Sequence, residues 1–97
     1  MAKIEQNKID VVYKYLEDEF PECSIEDKYS FDRFAQKFKV KHRESFYLVI
    51  ISVEFFINFD VSSIYAKLNQ FCLAKHLQEN VNSLIIVTDK GLKVEQK

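Results

Sequence analysis

The sequence predicts an α+β fold: a mainly antiparallel sheet of about five strands with two helices on one face, in the order α-β-β-β-α-β-β. Three observations carry that prediction. From Ser45 to Phe59 the chain reads SFYLVIISVEFFINF, and with a period of two both faces of its first half are apolar: Tyr47, Val49, Ile51 and Val53 on one side, Phe46, Leu48 and Ile50 on the other. A strand that is apolar on both faces is covered on both faces, which places it at the centre of a sheet. Two other stretches repeat their apolar residues every three or four positions, the helical period, and the remaining apolar runs are short and bounded by turn residues.

Taken in order, the first helix rests on Ile9, Val12, Tyr13, Leu16 and Phe20, with charged residues between them, and Pro21 ends it because proline restricts the preceding residue and lacks an amide hydrogen. Between Glu22 and Asp27, Cys23 and Ile25 alternate with polar neighbours, the pattern of a half-exposed strand near a sheet edge. Phe31 to Lys41 fits two periods. Phe31, Phe34, Ala35 and Phe38 suit a helix, whereas Phe34, Gln36, Phe38 and Val40 suit a strand; the strand is preferred because Phe38 to Lys41 is extended either way and His42 to Glu44 has the length of a hairpin turn into the central strand.

The buried part of the central strand ends near Val53, since Ser52, Glu54 and Asn58 turn its second face polar, and Glu54 to Asn58 reads as a turn or a short helical connection. Asp60 or Ser62 then caps a helix over residues 61–79, carried by Ile64, Tyr65, Leu68, Phe71 and Cys72 and later by Leu73, Ala74 and Leu77. The shift of the apolar face predicts a kink or restart near Asn69 and Gln70, and Asn80 closes the helix in the left-handed conformation. Ser83 to Val87 is a second buried strand. Thr88-Asp89-Lys90-Gly91 supplies a turn with glycine at a positive-φ position, and Leu92 and Val94 belong to a last hairpin strand.

The 97 residues suffice for a single domain, 1–97, and 47% hydrophobic content with one Gly and one Pro describes a compact core rather than a disordered chain. No signal-peptide pattern opens the sequence and no apolar run approaches the ~18 residues of a membrane span, so the expectation is a cytoplasmic protein with no membrane partner. Cys23 and Cys72 read as reduced thiols, and a net charge of -1 gives no bulk attraction to polyanions.

The charge is nevertheless segregated. Residues 1–32 hold nine acids against four lysines, while Arg33, Lys37, Lys39, Lys41 and Arg43 put five positive charges and no negative one between positions 33 and 43. On a strand these odd positions share one face, a stripe able to contact phosphates, while Phe34, Phe38 and Val40 turn to the core. The competing expectation is a solvated face neutralised by Glu22, Glu26 and Asp27 across the sheet. Cys72 and His76, spaced i and i+4, sit on one helix side, yet no further ligands converge for a metal or an activated thiol. A lone Gly91 permits no phosphate-binding glycine loop and no nucleophile elbow. No catalytic, cofactor-binding or metal-ligating residue is therefore assigned. Phe55, Phe56, Ile57 and Phe59 cannot all face inward, which marks them as an interface for a second copy or another protein. The expected function is a non-catalytic protein-interaction or regulatory module, with sequence-independent nucleic-acid binding through strand 33–43 as the alternative.

The helix-strand-strand-strand-helix order resembles the double-stranded-RNA-binding domain, but the lysine-rich start of that family's second helix is here Ser62-Ser63-Ile64-Tyr65-Ala66-Lys67, so its RNA contacts do not carry over. Asp32-Arg33-Phe34-Ala35-Gln36-Lys37-Phe38, Ile51-Ser52-Val53-Glu54-Phe55-Phe56 and Val87-Thr88-Asp89-Lys90-Gly91-Leu92 together resemble a family of short uncharacterised bacterial single-domain proteins. That resemblance implies no activity, cofactor or partner.

Overall fold

A computed structural model describes residues 4–80 and 83–96. Its elements are α1 (Gln6–Glu19), β1 (Ser24–Ser30), β2 (Ala35–His42), β3 (Ser45–Ser52), α2 (Val53–Asn58), α3 (Val61–Gln70), α4 (Leu73–Glu79), β4 (Ser83–Thr88) and β5 (Gly91–Gln96). The fold is α+β, with a five-stranded sheet in the spatial order β1-β2-β3-β4-β5. β3 is thus the middle strand, as its two apolar faces demand.

Three of the four strand pairings are antiparallel, while β3 and β4 run parallel, with Leu48 beside Leu84 and Ile51 beside Val87. The sheet is therefore mixed. Parallel neighbours require a crossover, and α2, α3 and α4 provide it. The main core is built from α1, from these crossover helices and from one sheet face, with Phe38, Val40, Val49, Ile51, Ile85 and Val87 contributed by the strands. A second, smaller cluster on the other face consists of Ala35, Leu48, Ile50 and Leu84 and contains no helical residue. The helices all lie on one side.

Several expectations change in detail, each for a local reason. Where one helix is expected over residues 61–79, the chain forms α3 and α4, because Cys72 adopts the left-handed conformation (φ 58°, ψ 43°) and interrupts the amide ladder two residues beyond Gln70. The connection expected over Glu54 to Asn58 does form as a short helix, α2, which begins at Val53 with its first-turn amide at Phe55 donating to the Ser52 hydroxyl at 3.3 Å. Asn80 is not left-handed (φ -127°); it ends α4 instead by donating from its side chain to the His76 carbonyl at 2.8 Å. In α1 the buried tyrosine is Tyr15 rather than the half-buried Tyr13, since position 15 also falls on the stripe made by Val12 and Leu16 and its hydroxyl has a polar partner there.

The largest correction concerns Phe31 to Phe34, which is a turn, neither helix nor strand. β1 extends to Ser30, where it pairs with Ala35, so four residues must reverse the chain, and Phe34 takes a left-handed conformation (φ 49°). Its ring is 70% exposed rather than in the core.

Candidate interaction surface on the helix-free face

Strand alternation decides which side chains reach the uncovered face. In register, Ser24, Glu26, Lys28 and Ser30 of β1 lie against Lys41, Lys39, Lys37 and Ala35 of β2, and these against Phe46, Leu48, Ile50 and Ser52 of β3. Lys37, Lys39 and Lys41 form one column with a spacing of about 6.6 Å, two strand residues per step. Each stands directly across from an apolar residue of β3. Lys39 holds its ammonium 4.8 Å from the centre of the Phe46 ring. Lysine stems laid along apolar neighbours explain how Leu48 and Ile50 are only 6% and 5% exposed on a face without helices.

The other two members of the basic set are elsewhere. Arg33 lies in the β1–β2 turn and its guanidinium donates to Glu95 of β5 at 3.2 Å, while Arg43 occupies the β2–β3 turn in a left-handed conformation (φ 57°). The stripe of five expected on one strand face is a column of three.

Among the described residues no acid forms an ion pair with that column. Glu26 faces Lys39, but among the described residues the ion pairs are Lys14 with Asp18 at 3.6 Å and Arg33 with Glu95 at 3.2 Å. Asp27 points to the helix side, accepting from the Tyr13 hydroxyl and the Gln36 amide, each at 2.5 Å. Burial and that carboxylate together push the Tyr13 phenol well above its usual value, so it stays a donor. Lys28 stands directly opposite Lys37, two like charges side by side. Around them are two open depressions of about 360 and 310 Å³, the first lined by Lys28, Phe31, Asp32 and Lys37 among others, the second by Glu26, Asp27, Lys28, Lys37 and Lys39. Phe31, at the rim, is 66% exposed. The sequence reading missed both exposed phenylalanines; the available signal was that a turn between two paired strands had to fall somewhere between Asp27 and Phe38.

The apolar run after the central strand is divided by α2. Phe55 and Phe56 are core residues, Phe59 is half-buried under the Lys67 ammonium at 5.2 Å, and Ile57 is 68% exposed beside the partly exposed Val61. Only Ile57 presents its side chain fully to solvent.

Cys72 and His76 each turn a side-chain polar atom to a backbone carbonyl. The imidazole Nδ1 lies 2.9 Å from the Cys72 carbonyl oxygen, and the thiol approaches the Gln70 carbonyl at 3.9 Å. Burial and Glu22 push the Cys23 thiol up, away from the reactive thiolate. Among the described residues no group of three or more His, Cys, Asp or Glu is placed to hold a metal, and no helix is long and apolar enough to cross a membrane. Compared with family models, with curated proteins and with solved structures, the chain matches none of them.

Proposed function

We propose that the chain is a small non-catalytic interaction module that works through the helix-free face of its sheet and takes a protein partner with an acidic surface. The observation that carries this reading is the column Lys37, Lys39 and Lys41, flanked by Lys28, with no carboxylate in ion-pair contact among the described residues. Like charges directly opposite in a sheet are destabilising, so Lys28 against Lys37 is a strain that an anionic partner relieves. Complementary charge also steers encounter and selects among partners. Fluorescence anisotropy with a labelled acidic peptide tests it. Binding is expected at low salt, weakening steeply as salt rises, and changing Lys37, Lys39 and Lys41 together to Ser should weaken it more than about tenfold while the melt stays cooperative. Indifference of binding to the triple change would remove this face as the working surface.

A second reading, sequence-independent nucleic-acid binding, is favoured by the exposed ring of Phe31 beside Lys28 and Lys37, with Phe34 also exposed in the same turn, because bases stack on aromatics next to cations. A homopolymeric single-stranded oligonucleotide separates the two. Retardation at low salt that is lost on changing Phe31 and Phe34 to Ala supports this reading, and no retardation at low salt removes it.

A further inference from the structure

The two edges of the sheet are unlike. β1 carries Glu26, Asp27 and Lys28 in succession, a density of charge that resists pairing with another strand. Two copies of β1 joined antiparallel about Asp27 would also bring two carboxylates to the axis. β5 is less protected, its two charges confined to one face. Leu92 and Val94 alternate with Lys93 and Glu95, the two apolar side chains sit half-buried at the rim of the main core, and the outer side of β5 pairs with no strand of the described chain. Every second residue of such an edge turns its N–H and C=O outward, unpaired.

We infer that a second copy of this chain docks there, antiparallel, about a twofold axis through Val94, with Lys93 of each copy facing Glu95 of the other. Charge selects the register. A twofold pairing of identical antiparallel strands keeps the faces of both sheets aligned, so the axis passes through one residue. An axis at Lys93 sets Lys93 against itself, and an axis at Glu95 sets Glu95 against itself. An axis at Val94 sets two Lys93–Glu95 pairs on the helix-free side and Val94 against Val94 on the helix side. Opposite charges in directly opposed positions stabilise a sheet and like charges destabilise it. Glu95 uses one oxygen for Arg33, and its second oxygen remains for Lys93. The result is a continuous ten-stranded sheet with the helices of both copies on one side and a charged β1 at either end, so assembly closes at two. The inference rests on the reading of the chain as an interaction module and names a second copy as a partner, on a surface separate from the lysine column.

Sedimentation equilibrium of the full chain tests it, with Lys93→Glu, Glu95→Lys and the double exchange. The wild type is expected at twice the chain mass, each single reversal should raise the dissociation constant roughly tenfold or more, and the double exchange should restore it, since two attractive pairs become repulsive and then attractive again. Both side chains are on the surface, and a retained cooperative melt confirms that each variant folds. A wild type that stays monomeric up to about 1 mM overturns the proposal, because association weaker than that falls below about 4 kcal/mol. So does a dimer indifferent to the single reversals, or one that the double exchange does not restore; loss of such a dimer on Ile57→Asp would move the contact to the crossover helices. Acidic-peptide binding, measured on the same variants, stands or falls separately.

Discussion

Ala74 donates its backbone N–H to the hydroxyl of Tyr15 at 3.0 Å, which fastens the start of α4 to the middle of α1 across 59 residues of sequence. α4 has no side-chain cap, since its N-cap is Cys72, so a buried phenol supplies the acceptor that a Ser or Asp usually gives. Tyr15→Phe keeps the ring and removes the acceptor. The expected loss is about 1–2 kcal/mol, or a fall in Tm of roughly 5–10 °C for a domain of this size, read by calorimetry.

Tyr65 of α3 donates to the Asp18 carboxylate of α1 at 2.6 Å, and the two groups shift in opposite directions. Tyr65, with help from Lys14, holds Asp18 below its usual 3.8, while Asp18 and burial push Tyr65 up to about 12. A lowered acid stabilises the fold above its unfolded value and loses that contribution as pH falls through its folded value; a raised phenol stabilises it below 10.0 and loses it as pH climbs toward about 12. Tyr65→Phe should therefore have a lower urea midpoint than the wild type at neutral pH. The gap should close in strong acid and narrow again in strong alkali. A gap independent of pH would show that the hydrogen bond to the Asp18 carboxylate is not its source.

Phe56 and Ile57 are neighbours in sequence with opposite fates, 2% and 68% exposed. Phe56→Asp buries an unpartnered charge in the core and should cost more than about 3 kcal/mol, enough to unfold much of the population. Ile57→Asp should stay within about 0.5 kcal/mol of the wild type. Chemical denaturation of both, side by side, checks the contrast.

Gly91 closes the β4–β5 hairpin at φ +136°, where L side chains are strained, although a Cβ there would meet nothing within 4 Å. Gly91→Ala should therefore destabilise by about 1–3 kcal/mol through backbone strain alone, with no steric contribution. A neutral or stabilising result in a denaturant titration would contradict that account.

How much of this was legible before the fold depended on whether a local pattern decided the outcome. The two-sided strand from Ser45, the buried run from Ser83, the glycine turn at 91 and the weak point after Asn69 are all local, and each sits within a few residues of its expected place. Phe31 to Phe34 was not legible, because its aromatic spacing satisfies two periods and only the Ser30–Ala35 pairing makes it a turn. Tyr13 and Tyr15 exchange roles for a similar reason: a helix stripe admits either, and the choice was made by the Ala74 amide on a distant helix. The lysine column is visible as alternation, but Arg33 left it for Glu95, a partner three strands away that no spacing rule reveals.

The parallel pairing of β3 with β4 sets an order of events in time. β1, β2 and β3 can zip as successive hairpins, and β4 with β5 as another, each closing a short loop. Leu48 meets Leu84 only after the intervening crossover has condensed, 36 positions of chain (84 minus 48) brought together in one step. Loop-closure entropy of that kind makes the central seam the slow, late event. Until it closes, SFYLVIIS and SLIIVT each offer an apolar strand edge to any neighbour, so the yield of refolding should fall as chain concentration rises, and a mutation that slows the crossover helices should cost more in recovered protein than in the stability of what is recovered.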